Sequence, residues 1–224
     1  MITIALAEDY NPTLKRFLDY FTILEQDYKV VIQALNGHDL ILKINNLQQL
    51  PDVILIDINM PTIDGMSATY YLKLHHPSIK LIGLSTYSDE NSIKNMILSG
   101  ADGFVMKALA ESVLQDAIKS VLLNELYIDK RIEVDMQQIN SVLIKRKERL
   151  LNENAFNLTK RERTFIMLNA TLLSFEQIAE VMFVSPKTVQ SHYDRISKKL
   201  NVHNRQAITF FSLQNGLATI ANYS

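Results

Sequence analysis

The side chains with the most chemistry to offer are three acids, two hydroxyls and an amine. Glu8 and Asp9 follow the apolar run ITIALA (2–7), and Asp57 closes the run DVILID (52–57) just before Asn59, Met60 and Pro61 break it. Ser85 and Thr86 come at the end of IKLIGLS (79–85), and Lys107 follows GFVM (103–106). Three carboxylates brought together repel one another unless a cation sits among them. Hard oxygen donors without His or Cys suit Mg²⁺. A lysine opposite such a cluster suits a phosphoryl group, whose oxygens both cations can neutralise. Asp57 could then attack phosphorus and form an acyl phosphate. Taken singly, the acids would be helix N-caps, Ser85 a capping hydroxyl and Lys107 a solvated side chain. The ends of four predicted strands give them a common purpose.

Those groups converge only if the strands are parallel and adjacent. The first 123 residues alternate strand-like runs (2–7, 28–35, 52–57, 79–85 and 103–106) with helix-length stretches near 11–26, 37–49, 65–76, 89–99 and 110–123. Gly37, Pro51, Pro61, Gly65, Pro77 and Gly100 punctuate the alternation. Five βα units in succession predict a doubly wound parallel sheet of five strands with helices on both faces. The carboxyl ends of parallel strands share one edge, where open α/β sheets bind ligands.

Beyond residue 123 the strand signals stop. Residues 135–154 read as a charged helix with Met136, Ile139, Leu143 and Leu150 on one side. A coiled-coil seam would need an apolar residue where Arg146 stands, so a linker helix lying on its own domain is the favoured reading. From 158 onward the pattern is helical, with three start signals. TKRE (159–162) and SFEQ (174–177) are capping boxes, and SPKT (185–188) offers Ser185 as N-cap with Pro186 behind it. Only MFVS separates the second helix from the third, which is the layout of a helix-turn-helix.

The third of these helices has a two-sided pattern. Val189, His192 or Tyr193, Ile196 and Leu200 recur at core spacing, with His192 read as a packing histidine. The other face carries Lys187, Gln190, Ser191, Asp194 and Lys198. Amides and hydroxyls can meet base edges in a major groove while lysines meet phosphates. Charge agrees with this division. Residues 1–123 hold 9 Lys and Arg against 14 Asp and Glu, whereas 156–224 hold 8 against 4, so a −5 front precedes a +4 back. Across a linker of about thirty residues, that split predicts that the acidic front restrains the basic back. The chain has no cysteine, which removes disulfides and thiolate metal sites and fits a reducing cytosol. No apolar run approaches the ~18 residues of a membrane span, and no secretory signal opens the sequence.

Residues 1–123 resemble a response-regulator receiver domain, a flavodoxin-like fold. The resemblance rests on AED (Glu8, Asp9), LIDINMP (Asp57), GLST (Ser85) and GADGFVMK (Phe104, Lys107). It implies Asp57 as phosphoacceptor, with Mg²⁺ held by Asp9, Asp57 and the Asn59 backbone carbonyl and reached by Glu8 through water. It also implies that Ser85 moves to the phosphoryl group as Phe104 changes its burial. Ala108 stands where the family commonly has proline. Residues 158–217 resemble a LuxR-type helix-turn-helix through LTKRER, SFEQIAEVMFVSPKTVQSHYDRISKKLNV and NRQAI. Family positions that touch bases fall on Gln190, Ser191 and Asp194, and phosphate contacts on Lys187, Thr188 and Lys198. Asp194 departs from the positive or neutral residue expected there.

A receiver (1–123), a linker with a helix (124–155) and a small all-α domain (156–224) together resemble the NarL/FixJ regulators. The expected function is transcription control through double-stranded DNA after phosphorylation of Asp57 by a sensor histidine kinase. The expected active form is a homodimer, cytoplasmic and away from membranes. A regulator that ignores phosphorylation would have no need of the intact pocket. A Mg²⁺-dependent phosphohydrolase would need a general base near Asp57 and a substrate-cap insertion, and the sequence offers neither, so no enzyme beyond this self-directed chemistry is expected.

Overall fold

The structure, a computed structural model, describes residues 1–86, 90–151, 156–171, 173–215 and 217–218. The strands are β1 (Ile2–Ala7), β2 (Tyr28–Ala34), β3 (Val53–Asp57), β4 (Lys80–Ser85), β5 (Gly103–Met106) and β6 (Tyr127–Ile128). All pairings are parallel and the spatial order is β2-β1-β3-β4-β5-β6. The sixth strand corrects the expected five. It is only two residues long, pairing Gly103 with Tyr127 and Phe104 with Ile128, so it has no alternation of its own to be read. The Asp129 amide then donates to the Phe104 carbonyl at 3.0 Å and continues the ladder.

Helices cover both faces of the sheet. On one face α1 (Asn11–Ile23) and α5 (Leu114–Leu122) bury Phe17, Phe21 and Ile118 against Ile4, Leu6, Leu55 and Val105. On the other, α2 (Gly37–Asn45), α3 (Gly65–His75) and α4 (Glu90–Ser99) pack Leu40, Leu72 and Ile97 onto Ala5, Ile54 and Ile56. β3 is buried along its whole length, as a central parallel strand covered on both sides must be. A 3₁₀ turn over Lys107–Ser112 replaces the first turn of the expected 110–123 helix.

The linker helix α6 (Met136–Leu151) lies on α4. Ile139 is buried and Leu143 half-buried, but Met136 is exposed, contrary to the single apolar side expected of it. Leu150 and residues 152–154 of that expectation lie outside the described side chains. Arg146 reaches the Ala101 carbonyl at 3.0 Å, which explains a charge on the inner face. Four helices follow: α7 (Lys160–Asn169), α8 (Phe175–Met182), α9 (Pro186–Leu200) and α10 (Arg205–Gln214). Both capping boxes form, at Thr159 with Glu162 and at Ser174 with Gln177. Ser185 caps α9, and Phe183 closes α8 in a left-handed conformation, giving the tight corner. The last helix, α10, is an addition to the three starts read from sequence, capped by the Asn204 side chain. No helix among the described residues is long and apolar enough to cross a membrane.

Candidate functional site

Strand register decides which side chains meet. Ala7 pairs with Ile56, Asp57 with Leu84, and Ser85 with Met106. The next residues at the carboxyl edge are Glu8, Asp57, Ser85 and Lys107, from four neighbouring strands. Lys107 Nζ lies 2.7 Å from Glu8 Oε2 and 2.8 Å from Asp57 Oδ2. Asp57 Oδ1 accepts from the Asn59 amide at 3.3 Å, and Glu8 Oε1 from the Tyr10 amide at 3.2 Å. Asp9 is exposed at the rim, yet Glu8, Asp9 and Asp57 offer oxygens within 4.8 Å of one another. Ser85 and Phe104 are buried, and Thr86 is exposed.

Burial pushes the Asp57 carboxyl up to about 6, with Glu8 adding to the rise and Lys107 and the Asn59 amide opposing it. One ammonium among three carboxylates leaves the pocket short of positive charge. The donor set is all oxygen and includes one acid open to solvent. This fits a hard divalent cation such as Mg²⁺, which binds through one or two carboxylates and keeps waters.

Two supporting residues escaped the sequence reading. Gly65, the first residue of α3, lies so close to β3 that a Cβ there would come 2.1 Å from the Asp57 carbonyl oxygen. Its amide donates to the Ile58 carbonyl at 2.8 Å, pinning the loop after Asp57. Arg16 on α1 donates to the Lys107 carbonyl at 2.6 Å and pairs with Glu111 at 2.8 Å, which steadies the stretch presenting the ammonium. The glycine was legible as punctuation only; for Arg16, 91 positions from Lys107, no local signal exists.

On α9, Val189, His192 and Ile196 are buried while Tyr193 and Leu200 are half-buried, so His192 is the core member of the pair left open. Burial lowers its pKa, as a packing histidine requires. Lys187, Gln190, Ser191, Asp194 and Lys198 are exposed and Thr188 half-exposed. Gln190 Nε2 donates to Asp194 Oδ1 at 2.9 Å, so the unexpected acid occupies the neighbouring amide. Thr188 lies beside its cap, with its hydroxyl 3.0 Å from that of Ser185.

Residues 4–119 match the response regulator receiver domain, and residues 156–212 match the luxR family of bacterial regulatory proteins. The chain belongs to the response regulators. It joins a receiver to a LuxR-type DNA-binding domain, the build of a transcriptional regulator. The transcriptional regulatory protein YxjL of Bacillus subtilis strain 168, itself uncharacterised, is 32% identical over 96% of this chain and 97% of its own. The transcriptional regulatory protein DegU of Brevibacillus brevis is 28% identical over 96% and 94% respectively. The two-component response regulator RcsB, solved as a DNA complex, shares the fold with a TM-score of 0.53 at 22% identity, covering 94% of this chain and 96% of that one.

The two parts of this response regulator touch through α7 and α8, against α3 and α2. The His75 ring stacks on Tyr71 at 4.4 Å, and its Nε2 lies 2.8 Å from Thr164 Oγ1. Tyr71 Oη is 3.5 Å from the Val181 carbonyl, and His38 Nε2 is 3.5 Å from Glu180. The charge split expected an acidic front to hold a basic back. Here the pairing acid, Glu180, comes from the back and its imidazole partner from the front, and the other three contacts named above are aromatic or neutral. Shape and hydrogen bonding account for the contact better than net charge does.

Proposed function

We propose that this response regulator controls transcription in a phosphorylation-dependent way, with Asp57 taking a phosphoryl group from a sensor histidine kinase. The observation that carries the reading is the Lys107 ammonium placed between the Glu8 and Asp57 carboxylates at the strand ends. Asp57 is the nucleophile: its oxygen bonds to phosphorus as the P–N bond to the kinase histidine breaks. Lys107 stabilises the transferred group's oxygens in a pocket where burial strengthens the attraction. Mg²⁺ held by Asp9, Asp57 and the Asn59 carbonyl, with Glu8 reaching it through water, would supply the remaining positive charge. Ser85 then follows the phosphoryl group, and Phe104, wholly buried in this structure, is the side chain whose burial responds.

The proposed division is a receiver at 1–123, a linker at 124–155 and a DNA-binding domain at 156–224. The end of α5 at Leu122 and the cap of α7 at Thr159 support these borders. Gln190, Ser191 and Asp194 are assigned to base edges, and Lys187, Thr188 and Lys198 to phosphates of double-stranded DNA. The proposed active form is a homodimer, and the proposed location the cytoplasm, where DNA and kinase are both at hand. The decisive experiment compares wild type with Asp57→Asn during incubation with acetyl phosphate and Mg²⁺. Wild type should gain one phosphoryl group and bind DNA more tightly, whereas the variant keeps its fold and gains none. Equal incorporation into the variant overturns the assignment.

A further inference from the structure

A backbone amide inside a fold needs an acceptor, and at the carboxyl end of β5 the acceptor is a side chain. β6 stops at Ile128, and the bond from the Asp129 amide to the Phe104 carbonyl at 3.0 Å is the last step of its backbone ladder. Two residues along β5 the Met106 amide faces the same side, and there Asp129 Oδ2 accepts from it at 3.3 Å. The other oxygen serves the turn that follows: Oδ1 accepts from the Arg131 amide at 3.1 Å and from Arg131 Nε at 2.8 Å. Arg131 Nη2 pairs with Oδ2 as well. A turn cap would need Oδ1 alone, whereas Oδ2 reaches across 23 positions of chain to another strand. Asp129 is 1% exposed, and a buried carboxylate is costly unless its oxygens are filled. Burial by itself would raise its pKa, but the Arg131 guanidinium and the Arg131 and Met106 amides outweigh it and hold the carboxyl below its ordinary range.

Met106 is the residue before Lys107. Lys107 follows β5, yet its ammonium lies between Glu8 and Asp57, which belong to the ends of β1 and β3. β4 stands between β5 and β3, so the side chain works across two strand spacings, ~10 Å. A side chain working that far out has little slack, and a shift of its backbone moves the ammonium. Arg16 Nη2 holds the carbonyl side of Lys107 at 2.6 Å, and Asp129 holds the peptide before it. We propose that Asp129 is a positioning residue for phosphoryl transfer, fixing the end of β5 through the Met106 amide so that Lys107 Nζ stays between Glu8 and Asp57. Its oxygens are taken by Met106 and Arg131, so it acts through Lys107 and not on the phosphoryl group. Asp129 follows α5 and β6, so the segment leading toward the DNA-binding half takes part in setting the pocket. This inference rests on the phosphorylation reading above.

The test follows two rates in the full-length chain: hydrogen exchange of the Met106 amide by NMR without metal, and acyl-phosphate formation from acetyl phosphate at saturating Mg²⁺. Asp129→Ala should speed Met106 exchange by roughly tenfold. It should slow phosphorylation by roughly tenfold or more, since misplacement by ~1 Å can cost ~10²-fold. Mg²⁺ affinity, read by calorimetry, should not weaken, because the proposed ligands follow β1 and β3. Asp129→Leu fills the space but offers no acceptor; it should behave alike and serves if the alanine variant does not fold. Arg131→Gln keeps the bond from Met106 to Asp129 and should leave both rates near those of wild type. Phosphorylation at the wild-type rate in Asp129→Ala or Asp129→Leu overturns the proposal, as does unchanged Met106 exchange. Slowing that comes with weaker Mg²⁺ binding is general damage, and equal slowing in Arg131→Gln assigns the effect to the ion pair; either result overturns it too. A wild-type chain that takes up no phosphoryl group refutes the phosphorylation reading itself. That failure is told apart by Met106 exchange, which still rises in Asp129→Ala where the contact holds β5.

Discussion

Replacing Gly65 with alanine should damage the proposed phosphoacceptor pocket from behind. The new methyl group would lie 2.1 Å from the Asp57 carbonyl oxygen and 2.9 Å from both the Asp57 carbonyl carbon and Ile58 Cα. Ordinary contact distances begin near ~3.5 Å, so the start of α3 must retreat by roughly 1 Å or more. All the crowding atoms are backbone, so no rotamer change relieves them. The same retreat stretches the 2.8 Å bond from the Gly65 amide to the Ile58 carbonyl toward the limit of a hydrogen bond. Overpacking of this kind costs about 1–3 kcal/mol and the lost bond about 1 kcal/mol, for a total near ~2–4 kcal/mol. A domain stable by ~5–15 kcal/mol survives that loss but shows it clearly. Urea titration should register a lower midpoint, and phosphorylation by acetyl phosphate should slow because Asp57 sits on the displaced backbone. Gly103→Ala is the control, since its nearest contacts are 3.1–3.3 Å. If Gly65→Ala unfolds within ~0.5 kcal/mol of wild type and phosphorylates at the same rate, the close approach has no consequence and the reasoning fails.

Acidification should loosen the contact between the two parts. Burial first, then Lys160 and His76, lower the His75 pKa from 6.5 to about 4. The undocked form binds the extra proton first, so docking is intact above about 6.5 and is lost as pH falls toward about 4. Energy transfer between labels on the two parts, measured in a His38→Gln background to remove the Glu180 pair, should fall across that window. A signal that stays level, or one that falls equally in His75→Phe, rejects the role of His75. Thr159→Ala should lower the stability of the C-terminal helices by about 1 kcal/mol through loss of the capping box, visible as a reduced melting temperature; an unchanged melting temperature would show the cap to be idle. Asp194→Ala should release the Gln190 amide and tighten binding to random DNA while blurring preference at one cytosine position. Lys187→Ala should instead weaken all sequences alike and flatten the salt dependence by about one counterion. Anisotropy titrations at several salt concentrations separate the two outcomes, and identical curves for Asp194→Ala and wild type would leave that acid merely solvated.

What could be read from sequence was whatever depends on neighbours in the chain. The run into Asp57 announced a buried strand because an apolar stretch ended at an acid and a proline-broken loop. Thr159, Ser174 and Ser185 announced helix starts because each caps a backbone amide three residues on. β6 was not legible, since two residues become a strand only through their partner on β5. Asn204 caps α10 by the same device as the others, but the short run before it gave no apolar period to frame it. The contact of His75 with Thr164 joins residues 89 positions apart, and each alone looks like an ordinary helical polar residue. The carboxylate pocket was foreseeable because parallel topology brings strand ends together whatever the loops do. Its backing by Gly65 and Arg16 depends on distances that no spacing encodes.

The docked arrangement uses α7 and α8 and leaves the outward face of α9 open. On the proposed assignment of that face to DNA, its side chains stay exposed even while the two parts are joined, and the joint does not cover them. What the joint withholds is freedom of placement. Two such chains must set their α9 helices about one helical turn of DNA, roughly 34 Å, apart to read a dyad site together. Each domain held fast to its own receiver cannot search for that spacing. Restraint of this kind suppresses avidity while sparing recognition, and the gain on release would come as effective concentration, which can multiply affinity by ~10²–10⁴ without a single new contact to the bases.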